Sequence, residues 1–436
     1  MIGGIQNIGR ITELRQRILF TFAMLAVYRI GAFIVTPGID PEVIRQFFQQ
    51  MQGTVFGLFS MFSGGALEQL SVFSLGIMPY ISASIILQLL TVVIPHLEQL
   101  KKEGEQGRKK INQYTRYGTI GLAMFQSLLI AVALENGQFG EGAVSTPGWG
   151  FRLMCMLTLT TGTGFIMWLG EQITERGVGN GISMIIFASI IIGLPSALGQ
   201  LFQLVRTDQF SILQAFFLAG FAVAVMGFVV VVERGQRRIP IQHARRVVGK
   251  RVMQGGMSYF PLRVNTAGVI PAIFASSLLM FPLTIGQFTD SPGVQAFIDQ
   301  YLNPASVGYQ IIYIGLIIFF CYFYTAIMIN PVDVADNIKK SGAYIPGIRP
   351  GKKTAEHIDR VLTRITLVGA LYMSVVCVLP TLLAVRAGVP FYFGGTALLI
   401  VVGVGLDTIA QVEAHLVSRQ YEGFASGARI RGRLSR

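Results

Sequence analysis

Metal ligation, nucleophilic attack and proton relay need His, Cys, Asp or Glu side chains that converge at short spacings. The four histidines, His96, His243, His357 and His415, fall in connecting loops or at the ends of apolar runs, with no metal-ligand spacing. Cys155, Cys321 and Cys377 lie far apart inside apolar runs and read as packed core thiols rather than disulfide partners or ligands. Gly351-Lys352-Lys353-Thr354 resembles the end of a phosphate-binding loop, but Lys353 occupies the position that must be Ser or Thr, and no strand precedes it. GVGNG at 177–181 lacks the dinucleotide spacing. No metal, cofactor or catalytic residue is expected, and the chain does not read as an enzyme.

Two ionisable residues, Arg29 and Asp407, lie well inside apolar runs. An intramembrane charge is functional by default, because each costs roughly 2.5–3.5 kcal/mol at the centre of a membrane helix. Both are off-centre, however. Arg29 can snorkel outward, and Asp407 precedes Glu413 by about a turn and a half, so a structural role is the stronger reading for each. A proton- or sodium-coupled pump would carry more buried charge than this.

The elements that position these residues are set by the composition. Of 436 residues, 52% are hydrophobic and 13% charged, against roughly 25% charged in soluble domains. That excludes a soluble enzyme, a disordered regulator and a secreted disulfide scaffold. Stretches free of Asp, Glu, Lys and Arg recur at 69–97, 117–134, 153–170, 177–205, 209–232, 264–289, 300–332, 365–385 and 387–406. With 18–36, interrupted only by Arg29, they make ten candidates near the ~20 residues that cross a bilayer core. The first has no small-residue cleavage site behind it and reads as a span rather than a removable signal. The run 46–67 opens on Gln49, Gln50, Gln52 and Gly53 and is too short to cross; it is expected to be a re-entrant half-helix.

The net charge of +13 reports topology before it reports nucleic acid. With the N-terminus inside, inner segments hold 30 of the 35 Lys and Arg residues and outer segments 4, which places both termini in the cytoplasm. The chain also repeats itself. GIMPYISASIIL from Gly76 and GVIPAIFASSLL from Gly268 match at Gly76/Gly268, Pro79/Pro271, Ile81/Ile273, Ala83/Ala275, Ser84/Ser276 and Leu87/Leu279. Apolar helices drawn from few residue types can agree by chance. Yet these are spans two and seven of ten, so the halves are five plus five with inverted orientation, as in inverted-repeat transport proteins. Proline loosens a helix turn and small residues allow close, separable contact, so the pair suits a moving seam. Any single serine there can equally bond back to its own helix.

Long strings in the sequence resemble the SecY family, whose members form the central subunit of the bacterial Sec protein-conducting channel. They are FSGGAL at 62–67, GIMPYISASI at 76–85, KKEGEQGRKKINQYTRYG at 101–118, WLGEQITERGVGNGIS at 168–183, VERGQRRIP at 232–240, VNTAGVIPAIFASS at 264–277, NPVDVADNIKKSGAYIPGIRPGKKTAEHIDRVLTR at 330–364 and VPFYFGGTALLIVV at 389–402. The resemblance covers essentially the whole chain. It implies an all-α polytopic membrane protein: ten transmembrane helices in two inverted five-helix halves around a central pore, closed by a re-entrant plug half-helix at about 55–67. The expected N-terminal half is 1–206, with the second span at about 72–94. The expected C-terminal half is 207–412, with the seventh span at about 264–285 and loops at 233–263 and 332–364, and a basic tail follows at 413–436.

Residue roles carry over from the same resemblance. A pore ring falls on Ile77, Ile81, Ile182, Ile186, Ile273 and Ile400, where branched aliphatic walls can gate by dewetting. The plug tip is Phe62, Ser63, Gly64 and Gly65. The lateral gate is Pro79, Ser82, Ser84 and Gln88 on span two, with Asn265, Pro271, Ser276 and Phe281 at span seven. Cytoplasmic docking falls to Arg237, Arg238, Arg245, Arg246, Lys250, Arg251 and Arg349, which would meet the motor ATPase SecA or the phosphates of ribosomal RNA. The resemblance also implies the small subunits SecE and SecG, signal peptides and nascent polypeptides as partners, and the cytoplasmic (inner) membrane as location. Topology signalling or contact with anionic lipids explains some of the loop charge, but neither requires a loop of about 30 residues, which favours docking. The competing reading is an ion-coupled carrier of a small solute. Long basic loops and sparse buried charge favour the channel.

Overall fold

The computed structural model describes residues 12–50, 63–137, 139–140, 142–207, 211–243, 246–248, 251–253, 256–287, 293, 300–301, 306–387 and 395–427. Of these, 49–50, 196–197, 200, 204, 246–248, 251–253, 280–281, 283–287, 381, 384–387 and 417–427 are described by their backbone alone. The chain divides into two units, one built within 12–195 and from 404 onward, the other within 196–403.

The first unit starts with α1 (Thr12–Gly31) and the short α2 (Pro41–Gln50). A single 3-10 turn at Leu67–Gln69 leads to α3 (Met78–Val93). Helix α3 ends where Ile94 turns extended ahead of Pro95, the conformation a following proline imposes. Pro95 then opens α4 (Pro95–Lys102), bent 98° from α3. Next come α5 (Glu105–Glu135), α6 (Trp149–Arg176) and α7 (Gly181–Arg206), the last belonging to the first unit as far as Pro195 and to the second from Ser196. One face of α5 buries Thr115, Thr119, Ala123, Ser127 and Ala131, a small residue every four positions and so a single stripe. Such stripes let membrane helices approach closely; Ser127 on α5 lies 3.4 Å from Thr160 of α6.

After the end of α7, the second unit continues with α8 (Ile212–Glu233), held at its N-terminus by a capping box between Ser211 and Gln214. Ile212, Leu213, Phe216, Phe217 and Val223 all stand exposed on it, an apolar surface suited to lipid. Four strands follow: β1 (Gln236–His243), β2 (Arg246–Val248), β3 (Arg251–Met253) and β4 (Met257–Arg263). Then come α9 (Ile270–Gln287), α10 (Val307–Met328) and α11 (Pro331–Lys340), followed by β5 (Ala343–Tyr344), α12 (Lys352–Ala387) and α13 (Gly395–Gly427). The last helix belongs to the second unit as far as Gly403 and to the first from Val404.

The protein is mostly helical. Among the described residues, six helices are long and apolar enough to cross a membrane, or seven if the bent α3–α4 pair counts as one span. Gly181–Pro195 and Ile270–Leu279 are shorter apolar helices. The all-α expectation needs a correction. The loop expected at 233–263 is an antiparallel hairpin, with Ile239 opposite Phe260 and Ile241 opposite Ser258, and β2 pairs with β3 beyond it. Apolar residues alternate with polar or exposed ones along β1, burying Ile239 and Ile241 and exposing Pro240 between them, the period of a half-buried strand. The expected re-entrant half-helix is only partly described: 55–62 lie outside the described residues, and 64–66 are turn and bend ahead of the 3-10 turn.

Candidate functional site

The repeated segments share one local geometry, each within its own unit. Gly76 and Gly268 take left-handed φ values of 55° and 64°, a conformation glycine adopts at little cost. Each glycine stands two residues before its helix, α3 or α9. Each helix then has proline, Pro79 or Pro271, as its second residue, where the missing N–H breaks no helix bond. Both helices therefore begin abruptly from a rigid turn. In the second unit the turn is fastened by Asn265, whose amide donates to the Gly268 carbonyl at 3.0 Å and to Glu233 at 2.7 Å. Asn265 is 4% exposed, and buried polar groups are expensive unless satisfied.

The other gate positions are quieter. Ser82, Ser84 and Gln88 are half-buried on α3, and Gln88 donates to Ser84 at 3.4 Å. Ser276 donates to the Ile273 carbonyl at 2.9 Å and is satisfied within α9. The side chain of Phe281 lies outside the described residues. Of the ring candidates, Ile77, Ile81, Ile186 and Ile400 are buried, while Ile182 and Ile273 are half-buried. Ile77 and Ile81 are four residues apart, as are Ile182 and Ile186, so each pair shares one helix face. Ile182 packs over Gly170 of α6, where a Cβ would lie 2.9 Å from its Cγ1.

The segment expected to carry the plug tip is clamped onto α1. The Tyr28 hydroxyl lies 3.0 Å from the Ser63 carbonyl, to which it donates, and 2.8 Å from Ser189 Oγ on α7. Arg29 donates to the Gly64 carbonyl at 2.9 Å and stacks over Phe33 at 4.4 Å. Gly64 and Gly65 have φ of 66° and 80°, and a Cβ on Gly64 would lie 3.2 Å from the Ser189 backbone. Residues 70–72 are then stitched to 34–36 by Thr36 N–H to the Leu70 carbonyl and Val72 N–H to the Ile34 carbonyl, at 3.0 and 2.8 Å. Arg29 thus has inward partners rather than a snorkelling role alone. Phe62 lies outside the described residues.

The cytoplasmic docking candidates occupy one module. Strand β5, from the second basic loop, pairs with β1 of the first through Gln242–Tyr344 and His243–Ala343, giving sheet order β4-β1-β5. Beneath it Ile239, Ile241, Leu262, Ile338, Ala343 and Ile345 pack with Ile358 and Leu362 of α12. Arg237, Arg238 and Arg349 are exposed on this module. The Arg349 carbonyl accepts from the buried Thr354 hydroxyl at 2.9 Å, which fixes the turn that presents the guanidinium. Arg246 and Arg251 sit on β2 and β3 with undescribed side chains, and Arg245 and Lys250 lie outside the described residues. The two loops, separate in sequence, share one core. Accordingly Ile358→Ala, at a fully buried position, should cost about 2–5 kcal/mol and loosen both loops together. Proteolysis of the 244–255 tip and of 345–351 should accelerate in parallel in that variant; acceleration at one loop alone would contradict the shared core.

Reading residue types along the chain missed Tyr28, Ser189 and the sheet. Only the alternation at 239–241 signalled a strand, and nothing local pairs Tyr28 with residue 63.

A broken apolar helix, a matched helix turn in each unit and a basic sheet between apolar helices describe a polytopic membrane protein. A solved structure described as "The structure of a protein conducting channel" shares this fold, with a TM-score of 0.67 at 18% identity over 93% of both chains. Sec61 in the canine ribosome–channel complex of the endoplasmic reticulum gives 0.62 at 16% identity, again over 93% of both. The SecY profile matches residues 71–409. The protein translocase subunit SecY of Pseudomonas aeruginosa is 53% identical over 427 residues, covering 97% of this chain and 96% of that one. The chain belongs to the SecY family.

Proposed function

We propose that this chain is the pore-forming subunit of a Sec translocon: it passes unfolded secretory polypeptides across the membrane and releases apolar segments sideways into lipid. The observation that carries this is 53% identity along nearly the full length to a protein translocase subunit. It is a channel subunit and not an enzyme, and these relatives do not support the ion-coupled carrier. Family membership together with the apolar runs supports ten spans, with α1, the α3–α4 pair, α7 and α9 joining the six that qualify by length. The 30-to-4 bias of basic residues supports the inner membrane with both termini cytoplasmic.

Within that reading, Ile77, Ile81, Ile182, Ile186, Ile273 and Ile400 form the ring. The segment ending at Ser63, Gly64 and Gly65 is the plug, and α3 and α9 border the lateral gate. The sheet module receives the ribosome, supported by the ribosome-bound relative, or the motor ATPase SecA. SecE, SecG, anionic lipids, signal peptides and nascent chains are the remaining partners.

Reconstituting the purified complex in vesicles with SecA and ATP should protect a secretory polypeptide from external protease. Absence of protection in an intact complex would overturn the reading. Cysteines at Ser82 and Phe281 should crosslink in the resting complex and block export of substrates with signal sequences. Undiminished export through a fully crosslinked complex would remove the gate assignment.

A further inference from the structure

GVGNG at 177–181, which matches no nucleotide motif, is the turn between α6 and α7, and its backbone amides are distributed among other elements. Val178 N–H donates to Thr21 Oγ1 of α1 at 3.0 Å, Gly179 N–H to Gln411 Oε1 of α13 at 3.1 Å, and Gly181 N–H to Thr174 Oγ1 of α6 at 2.8 Å. Asn180 accepts from the amides of Ile182 and Ser183 and so starts α7. The glycines are required by space. A Cβ on Gly177 would lie 2.5 Å from Thr21 Oγ1, and one on Gly181 would lie 1.8 Å from the Gly170 carbonyl oxygen. Gly179 has φ of 86° and abuts Thr408. Thr408 in turn reaches Met184 Sδ at 3.4 Å. The lower part of α13 is therefore seated on this loop by Thr408 and Gln411, one turn apart.

The upper part of α13 is seated elsewhere. A Cβ on Gly395 would lie 2.1 Å from the Val376 carbonyl oxygen, and one on Gly403 would lie 2.6 Å from Val269 Cγ2. The helix changes unit between Gly403 and Val404, beside Gly405, whose surroundings are empty within 4 Å of a Cβ. Paired glycines are where helices bend, and Gly405 has no packing reason to lack a side chain.

We propose that the GVGNG loop is a socket that keeps the lower half of α13 fixed to the first unit throughout transport, and that movement of the second unit is absorbed by bending at Gly403–Gly405. The inference rests on the channel reading. It makes Gly177–Gly181, Thr408 and Gln411 positioning residues for the pore helix that carries Ile400.

The test uses the full complex with Met184→Cys and Thr408→Cys, bridged by a short bifunctional methanethiosulfonate. Crosslinking yield should be the same in the resting complex and in one arrested with a stalled polypeptide, and the bridged complex should export at the uncrosslinked rate. A several-fold fall in yield on arrest, or blocked export after bridging, overturns the socket. Gly405→Ala, which has room for its methyl group, should slow export about fivefold, as expected if the bent helix loses one Gly-to-Ala propensity difference. A folded Gly405→Ala complex exporting at the normal rate removes the bend from that position. If the channel reading itself failed, the unmodified complex would not export, which separates the two failures.

Discussion

Replacing Ile81 and Ile273 together with Asp should turn a silent resting complex into one that carries a steady ion current across a planar bilayer. An apolar constriction offers water no hydrogen-bond partner, and moving an ion into so dry a place costs tens of kcal/mol in the idealised limit. A pair of carboxylates removes that barrier by hydrating the opening. Substitution by Gly should give a smaller leak, since it removes the apolar seal without supplying charge. Folding of each variant is checked first, because Ile81 is 8% exposed and losing a buried isoleucine costs about 2–5 kcal/mol beyond the ~1 kcal/mol of glycine in a helix. The Ile81 backbone bond to Ile77, at 3.0 Å, does not depend on the side chain. Polypeptide export should persist in the Gly variant. If both double variants remain folded and as silent as the parent, these isoleucines do not form the seal.

Arg29→Leu should raise the resting open probability by about 10- to 150-fold. The arithmetic follows from the loss of one charge-assisted hydrogen bond, to the Gly64 carbonyl at 2.9 Å, with roughly 1.5–3 kcal/mol at stake. Tyr28→Phe removes a neutral bond to the Ser63 carbonyl worth about 1 kcal/mol, and should give about fivefold. The ordering is the informative part, because a merely destabilised bundle would not rank Leu at 29 above Phe at 28. Both variants should export substrates with weakened signal sequences more readily than the parent, since less work remains for the signal to do. Single-channel recording gives the open probability directly, and unchanged leak in folded Arg29→Leu would show that this clamp does not hold the closed state.

The sequence made visible whatever is encoded in neighbouring residues. Hydropathy placed the six or seven described helices that are long and apolar enough to cross. The shared Gly–Pro pattern at 76–79 and 268–271 implies a loosened turn inside each span; instead each proline is the second residue of its helix, where it breaks no hydrogen bond, and the two helices begin alike. Contacts between distant residues were not legible. Tyr28 and Ser189 are 161 positions apart, and neither is unusual for a membrane helix. The hairpin escaped because its strands are short and basic, so their charge was read as an unstructured docking loop. The burial of Ile239 and Ile241 requires α12, far along the chain. Arg29 was noticed for its cost, but the carbonyl that offsets that cost belongs to a turn whose path no local rule specifies.

Helix α12 covers 36 residues with Pro380 inside it, and its Lys352–Pro380 part alone, 29 residues, is about 44 Å long against a bilayer core of about 30 Å. It carries Ile358 and Leu362 inside the core of the basic sheet and continues to Tyr372, Met373 and Val376 buried among the apolar helices. One helix therefore starts in the proposed docking module and continues, ahead of Pro380, into the apolar bundle. If the sheet receives a partner as proposed, a push on it is passed to a membrane helix through the stretch between Ile358 and Val376, which no proline interrupts. Force applied outside the bilayer would then be delivered inside it by a lever about one and a half bilayer-core thicknesses long.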